Sequence, residues 1–458
     1  MRTALTDNVQ ELLRETATVS TDTVTIRDTA AFRREPIDDL VTHAVFHTDD
    51  AVRRQCRRII RLAARELGIL PASILPLYRH LAQQPAVRFT VPSVNARTIA
   101  YDTAQAMFLA VQEHEVGAFQ FELARSEMGY TDQRPGEYAT VILAAAIKTG
   151  YRGPVCIVGD HYQVKPKKYA ENADVELTTI QDLMSESIAG GFYNIDIDAS
   201  TMVDLAKPTT AEQQRLNAEL TARFVRHIRA ESPAGVTVNI GAEIGEVGKT
   251  NTTVEELRAF MTVCKEALDE PTPFADVTKL AVQTGSSHGG VVLPDGSLAS
   301  VQIDFDAIRN LAKAARSEYG MAGVVQHGAS TLPTELFDTF PGGGAVEIHL
   351  ATQFQNMVLD HPDFPAALKQ EMTVYIREHH GDERKEGMTD EQFVYKLRKK
   401  ALGPFKRQLW DLDDQLRADM RERLRQQFST LVMKLNVRHT RSLVDGVIRP
   451  VPVVSFYA

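Results

Sequence analysis

Cysteine is scarce: Cys56, Cys156 and Cys264 are the only three in 458 residues, too few and too widely spaced for a disulfide framework or a cysteine-based zinc site. A reducing compartment is expected. Long apolar runs are missing as well. Val141 to Ile147, among the longest, falls far short of the ~20 residues that span a bilayer, and Met1 to Glu15 mixes Asp, Glu and Arg with no apolar core of the signal-peptide kind. These two absences lead us to expect a cytoplasmic protein without membrane partners. Nor is there an excess of positive charge: a net charge of −9 gives no general attraction to nucleic acid or to anionic membranes. An anionic substrate would therefore need a locally positive site, which a metal ion could supply. Internal repeats and low-complexity segments are absent too.

What is present is the composition of a globular protein, 43% hydrophobic and 24% charged, enough for a buried core. Residues 1–85 read as a helical extension, with an amphipathic run from Asp49–Asp50 through Ile59, Ile60, Leu62 and Leu67 that stops at Gly68, then a short helix over 72–83. Eight short β-type runs follow, at 88–95, 118–124, 154–159, 193–199, 236–243, 279–284, 323–327 and 345–350, separated by helical segments. Eight such units fit a closed (β/α)8 TIM barrel over residues 86–361 better than an open sheet. Residues 362–458 return to helix, with Thr389 and Gln392 spaced as a capping box and Leu409, Leu412, Leu416, Met420 and Leu424 on one face. That face suggests an oligomer contact, and the Arg and Lys around it a solvated side. A homo-oligomer is expected.

Asn95, Asp160, His161, Asp198, Glu243, His288 and His327 fall at or just past the carboxyl ends of the strands, the face on which barrel enzymes carry their chemistry. Neutral imidazole is a common zinc ligand, and a catalytic site takes three protein ligands with one position open. His161, His288 and His327 answer to that. Each alone reads more readily as a hydrogen-bonded structural residue, but His288 and His327 are followed by small residues that let a ligand approach the backbone. His349, on the last strand, points either into the site or into packing, and His379 and His380 read as surface residues. Asp160 is a candidate proton shuttle or a partner of the ligands; Asp198 and Glu243 could orient ligands, hold a second cation or satisfy buried donors. Gly245–Lys249 and Gly342–Gly344 can offer N–H groups to a phosphate or form ordinary turns.

In order along the chain, these segments resemble the class II, zinc-dependent fructose-bisphosphate and tagatose-bisphosphate aldolase family. Pro92 to Asn95 is similar to its first strand, Asp160-His161 to its Asp-His pair, Ile195 to Ser200 to its fourth strand, and Gly241 to Gly248 to its Glu-Leu-Gly-x-x-Gly segment; Thr284 to Gly289 and His327 to Pro333 complete the set. The resemblance implies Zn2+ held by His161, His288 and His327, polarising a ketose carbonyl and stabilising the enediolate left by carbon–carbon cleavage, with Asp160 exchanging a proton with the C4 hydroxyl. It further implies that Gly248, Gly289, Gly328 and Ser330 hold a substrate phosphate together with a monovalent cation, and that Asn95 and Thr352 contact substrate. Fructose 1,6-bisphosphate, cleaved to dihydroxyacetone phosphate and glyceraldehyde 3-phosphate, is the expected substrate. Two departures stand out. Where the family carries an Asn-x-Asp-Thr motif, the chain reads His349-Leu350-Ala351-Thr352, and Lys249-Thr250-Asn251 replaces the acidic mobile loop. Phe121 to Ser126 also resembles the non-catalytic companion subunit of tagatose-bisphosphate aldolase, the alternative reading; retention of all three histidines favours the enzyme.

Overall fold

Eight parallel strands close into a barrel in the computed structural model, which describes residues 7–13, 15–84, 86–244, 250–268, 277–285 and 303–457. They are β1 (Val91–Asn95), β2 (Gln120–Ala124), β3 (Gly153–Gln163), β4 (Asn194–Asp198), β5 (Asn239–Glu243), β6 (Val277–Val282), β7 (Gly323–Gln326) and β8 (Ala345–Leu350). Each pairs with the next, and β8 pairs with β1 in the register His349 to Ser93, so no edge strand is left open. Alternation along β4 shows why the ring forms: Ile195 and Ile197 are wholly buried among apolar neighbours, while Asp196 and Asp198, two apart, share the opposite face and meet partners from other strands.

The flanking segments are mainly helical but hold three short strands that helical periodicity hides. Ala17–Val19 pairs antiparallel with Val24–Ile26, and Ile69–Ala72 adds to the first half of β3. The latter leads into helix Leu75–Gln83, which covers the end of the barrel where the strands begin. Its Tyr78 is wholly buried and donates through its hydroxyl to Glu347 of β8; Asn194, first residue of β4, accepts from the Ile74 N–H at 2.8 Å. Helix Asp50–Glu66 stops where the sequence suggests, with Gly68 at φ +74° just beyond.

The carboxyl-terminal segment differs from the expectation of one long apolar face. Leu409 lies in helix Lys406–Trp410, and the chain breaks before helix Asp414–Lys434, where the Asp413 carboxylate accepts from the N–H groups of Gln415 and Leu416. This long helix runs against barrel helix Ala100–Glu113, and its basic side is not simply solvated: Arg421 and Arg417 reach the buried Asp102 at 2.5 and 3.4 Å. The Thr389–Gln392 capping box is present. Gly342–Gly344 is an ordinary turn, closing helix Thr339–Gly343 with Gly344 at φ +88°. Among the described residues, no helix is long and apolar enough to cross a membrane.

Candidate active site

A bulge in β3 aims the first two site residues. Gly159 pairs with Ile195 but Tyr162 with Ile197, so three steps of β3 advance against two of β4, and the extra residue re-aims the side chains. His161 sits in the bulge at φ +44°, a backbone conformation unusual for a residue with a Cβ and one that persists where the surroundings enforce it. Asp160 and His161 consequently both line the cavity at the strands' carboxyl ends, although they are neighbours on a strand. The sequence places His161 after the strand; it lies within it.

His327 follows β7 and brings its ring to 4.4 Å from that of His161, centroid to centroid. Asp160 sits between them, Oδ2 at 3.8 Å from His161 Nε2 and Oδ1 at 3.9 Å from His327 Nε2. Ligand atoms of these three residues lie within 4.8 Å of one another. On its other edge His161 Nδ1 meets Glu243 Oε2 at 2.9 Å and Asp198 Oδ2 at 3.3 Å. Asp198 is fixed in turn by the Ser200 hydroxyl at 2.7 Å and by Gln163 Nε2 at 2.6 Å. Burial disfavours a charged His161, but the carboxylates of Asp160, Glu243 and Asp198 reverse this and raise its pKa well above the ordinary value. The same excess of negative charge suits a divalent cation, and two imidazoles with carboxylates form a donor set that zinc and its neighbours accept. His288, Gly248 and Gly289 lie outside the described residues.

Below these residues is a buried polar array that the sequence reading largely missed. His349, which the sequence leaves between site and packing, belongs to the site: its ring is 4.4 Å from that of His327 and it lines the cavity. Its Nδ1 approaches Glu122 Oε2 at 2.6 Å and Asp160 Oδ1 at 3.3 Å, while Nε2 meets Glu347 Oε1 at 2.5 Å. Lys279, with no exposed surface, bridges Glu347 at 2.5 Å and Asp196 at 2.9 Å. Burial pushes the Glu122 carboxyl up to about 7 despite His349; Glu347 is held down to about 2, burial being outweighed by Lys279 and His349. A signal existed in the strands themselves. A single charged residue stands inside each of two fully buried strands (Gln-Phe-Glu-Leu-Ala and Val-Thr-Lys-Leu-Ala-Val), and a charge there must find a partner.

The cavity above this floor has a volume of about 820 Å3. Asn95, Gly328, Ser330 and Thr352, for which the resemblance implies contact with substrate, line it. Asn95 Nδ2 donates to Glu127 at 2.5 Å, Thr352 Oγ1 accepts from Arg97 Nη2 at 3.4 Å, and the Ser330 hydroxyl accepts from the Ala351 N–H at 2.6 Å. One wall comes from the carboxyl-terminal extension, through Lys385, Tyr395, Lys396 and Lys399. Sequence periodicity gave that segment no part in the site.

The sequence profile of the family described as fructose-bisphosphate aldolase class-II matches residues 78–408. The chain belongs to this family. Membership carries the coarse activity, that of an aldolase acting on phosphorylated sugars in a family generally dependent on zinc. No curated protein sequence matches significantly. Among solved structures, a probable tagatose 6-phosphate kinase from Sinorhizobium meliloti shares 16% identity at TM-score 0.53, covering 80% of this chain and 96% of that one. A fructose-bisphosphate aldolase from Campylobacter jejuni shares 14% at TM-score 0.50, covering 81% and 97%. The fructuronate-tagaturonate epimerase of Cohnella laeviribosi, also 14% identical at TM-score 0.50, covers 96% of this chain and 90% of its own. At these identities the likeness shows the fold.

Proposed function

We propose that this class II family member is a zinc-dependent aldolase that reversibly cleaves fructose 1,6-bisphosphate to dihydroxyacetone phosphate and glyceraldehyde 3-phosphate. The observation that carries the reading is the convergence of Asp160, His161 and His327 at the carboxyl-terminal mouth of the barrel, inside one cavity whose rim is basic. His161 and His327, with His288, are the residues assigned to hold the metal, and Glu243 and Asp198 orient His161 from its far side. Bound there, a divalent cation supplies Lewis-acid polarisation of a carbonyl. Asp160, flanked by three imidazoles, is positioned to take the proton of a substrate hydroxyl and to return it in the reverse direction. Gly328 at φ +66° and Ser330 turn the chain after β7 so that this loop faces the cavity, in support of a phosphate position there.

The test is cleavage of fructose 1,6-bisphosphate by the purified chain, before and after EDTA, with zinc then restored. Activity lost to the chelator and recovered with zinc is expected. A folded chain that is inactive at every stage, but restores activity to a smaller barrel subunit, would instead make it the companion subunit.

A further inference from the structure

Besides Asp160, His161 and His327, three groups of carboxylates and imidazoles in the barrel bring ligand atoms within 4.8 Å of one another. Two of them already have partners. Around Asp196, Glu347 and His349 the cation is Lys279, whose ammonium lies 2.9 Å from Asp196 and 2.5 Å from Glu347. Around His161, Asp198 and Glu243, the Asp198 carboxylate accepts from Ser200 and Gln163. The third group is Glu122 on β2, Asp160 on β3 and His349 on β8. Among the described residues, no lysine or arginine pairs with either of its carboxylates. All three side chains are more than nine-tenths buried, and the atoms they turn towards one another, Glu122 Oε2, Asp160 Oδ1 and His349 Nδ1, make no hydrogen bond. Nδ1 stands 2.6 Å from Glu122 Oε2 and 3.3 Å from Asp160 Oδ1, but neither contact has the direction of a hydrogen bond.

The other nitrogen of His349 explains the convergence. Glu347 is held as an anion by Lys279 and can only accept, so its 2.5 Å contact with Nε2 is a hydrogen bond donated by the ring. The neutral ring then turns a bare lone pair at Nδ1 towards two carboxylate oxygens. Three buried acceptors with no donor among them are costly unless a cation lies between them. An imidazole whose far N–H is given to a carboxylate is also the usual outer arrangement of a metal-bound histidine. Two carboxylates and a neutral imidazole carry two negative charges, which one divalent ion cancels, and a donor set richer in oxygen than in nitrogen suits Mn2+ or Fe2+. All three residues line the cavity, so an ion can reach them. His349 stands where the class II family carries Asn, so the family motif does not supply this ligand.

We propose that Glu122 Oε2, Asp160 Oδ1 and His349 Nδ1 form a second divalent-cation site, beside the one assigned to His161, His288 and His327 and joined to it through Asp160, with Glu347 and Lys279 fixing the tautomer of His349. The site leaves Asp160 Oδ2, on the His161 side, for proton exchange, and it does not depend on which sugar is cleaved. A second proton on the His349 ring is the competing occupant.

The test is equilibrium titration of the EDTA-stripped full-length chain with Mn2+, the free ion being counted by electron paramagnetic resonance. Two equivalents are expected for the wild type. His349→Asn is expected to keep one and to weaken the other by about a hundredfold or more, the top of the range for losing even an outer partner of a ligand, whereas His161→Ala keeps the equivalent that His349→Asn loses. Equal numbers of equivalents in the wild type and a folded His349→Asn variant overturn the proposal, as does a wild type that binds none. A single equivalent that His349→Asn and His161→Ala each abolish is one shared ion and overturns it too. Should His349→Asn not fold, Glu122→Gln takes its place under the same criteria. Titration involves no turnover, so the two readings fail separately: an ion lost with His349 but kept without His161, in a chain that cleaves no sugar bisphosphate, removes the aldolase reading and keeps this site.

Discussion

Lys279 shows how much of this site depends on single buried charges. Among the described residues it is the one lysine wholly without exposed surface, and it faces Asp196 and Glu347 with Tyr78 and His349 completing the set. Removing one partner of a buried pair leaves an uncompensated charge, at a cost of about 3–5 kcal/mol. We expect Lys279→Met to lower the urea midpoint at neutral pH accordingly. The pH dependence has a definite sign. Glu347 is depressed when folded, so its contribution is present above the ordinary carboxylate range and lost as pH falls towards about 2. Lys279 is raised, so its contribution is present below ~10.4 and lost only as pH climbs through its folded value. Without Lys279 the carboxylates take up protons more readily, and the stability gap between variant and wild type should narrow in acid. A gap constant from pH 7 to pH 4 would count against the array as a charge-compensated unit.

At the level of elements, the strands bring the site together through close approach as much as through hydrogen bonding. Gly241 in β5 lies where a Cβ would overlap the Asp196 carboxylate and come within 2.8 Å of Lys279 Cε. The glycine thus leaves room for the β4–β6 ion pair that crosses the barrel. Gly241→Ala should cost about 1–3 kcal/mol through overpacking, read as a lowered melting temperature with the secondary structure intact; an unchanged melting temperature would show that the barrel can widen there at no cost. The bulge in β3 works in the opposite direction, adding a residue so that Asp160 and His161 share one cavity. Such a bulge was not legible in Val-Gly-Asp-His, because strand propensity does not report register. The alternation in Asn-Ile-Asp-Ile-Asp was legible, and it places Asp196 and Asp198 on one face as observed.

Over the whole molecule, the extension is bound to the barrel and not appended to it. Met420, Leu424, Phe428 and Leu431 are buried, with the Phe428 ring 4.6 Å from that of Phe354 on the helix after β8. Side chains of this size contribute about 1.5–3 kcal/mol each when buried, so these four alone rival the 5–15 kcal/mol of net stability typical of a domain. A chain ended at residue 361 should therefore aggregate or lose its helical signal, as size-exclusion chromatography and far-ultraviolet circular dichroism would show; a soluble, native-like fragment would contradict this account.

By itself the sequence determined the eight alternating strand and helix units, the histidines and acids at the strand ends and the resemblance to the aldolase family, because these follow from local periodicity and from motifs of a few residues. Only the tertiary structure decided that His349 belongs to the site, that Lys279 crosses the barrel to Asp196 and Glu347, and that lysines from beyond residue 384 wall the cavity. Those pairings join residues up to some three hundred positions apart, and their energies come from burial and from partner charge, neither of which exists until the chain has closed on itself.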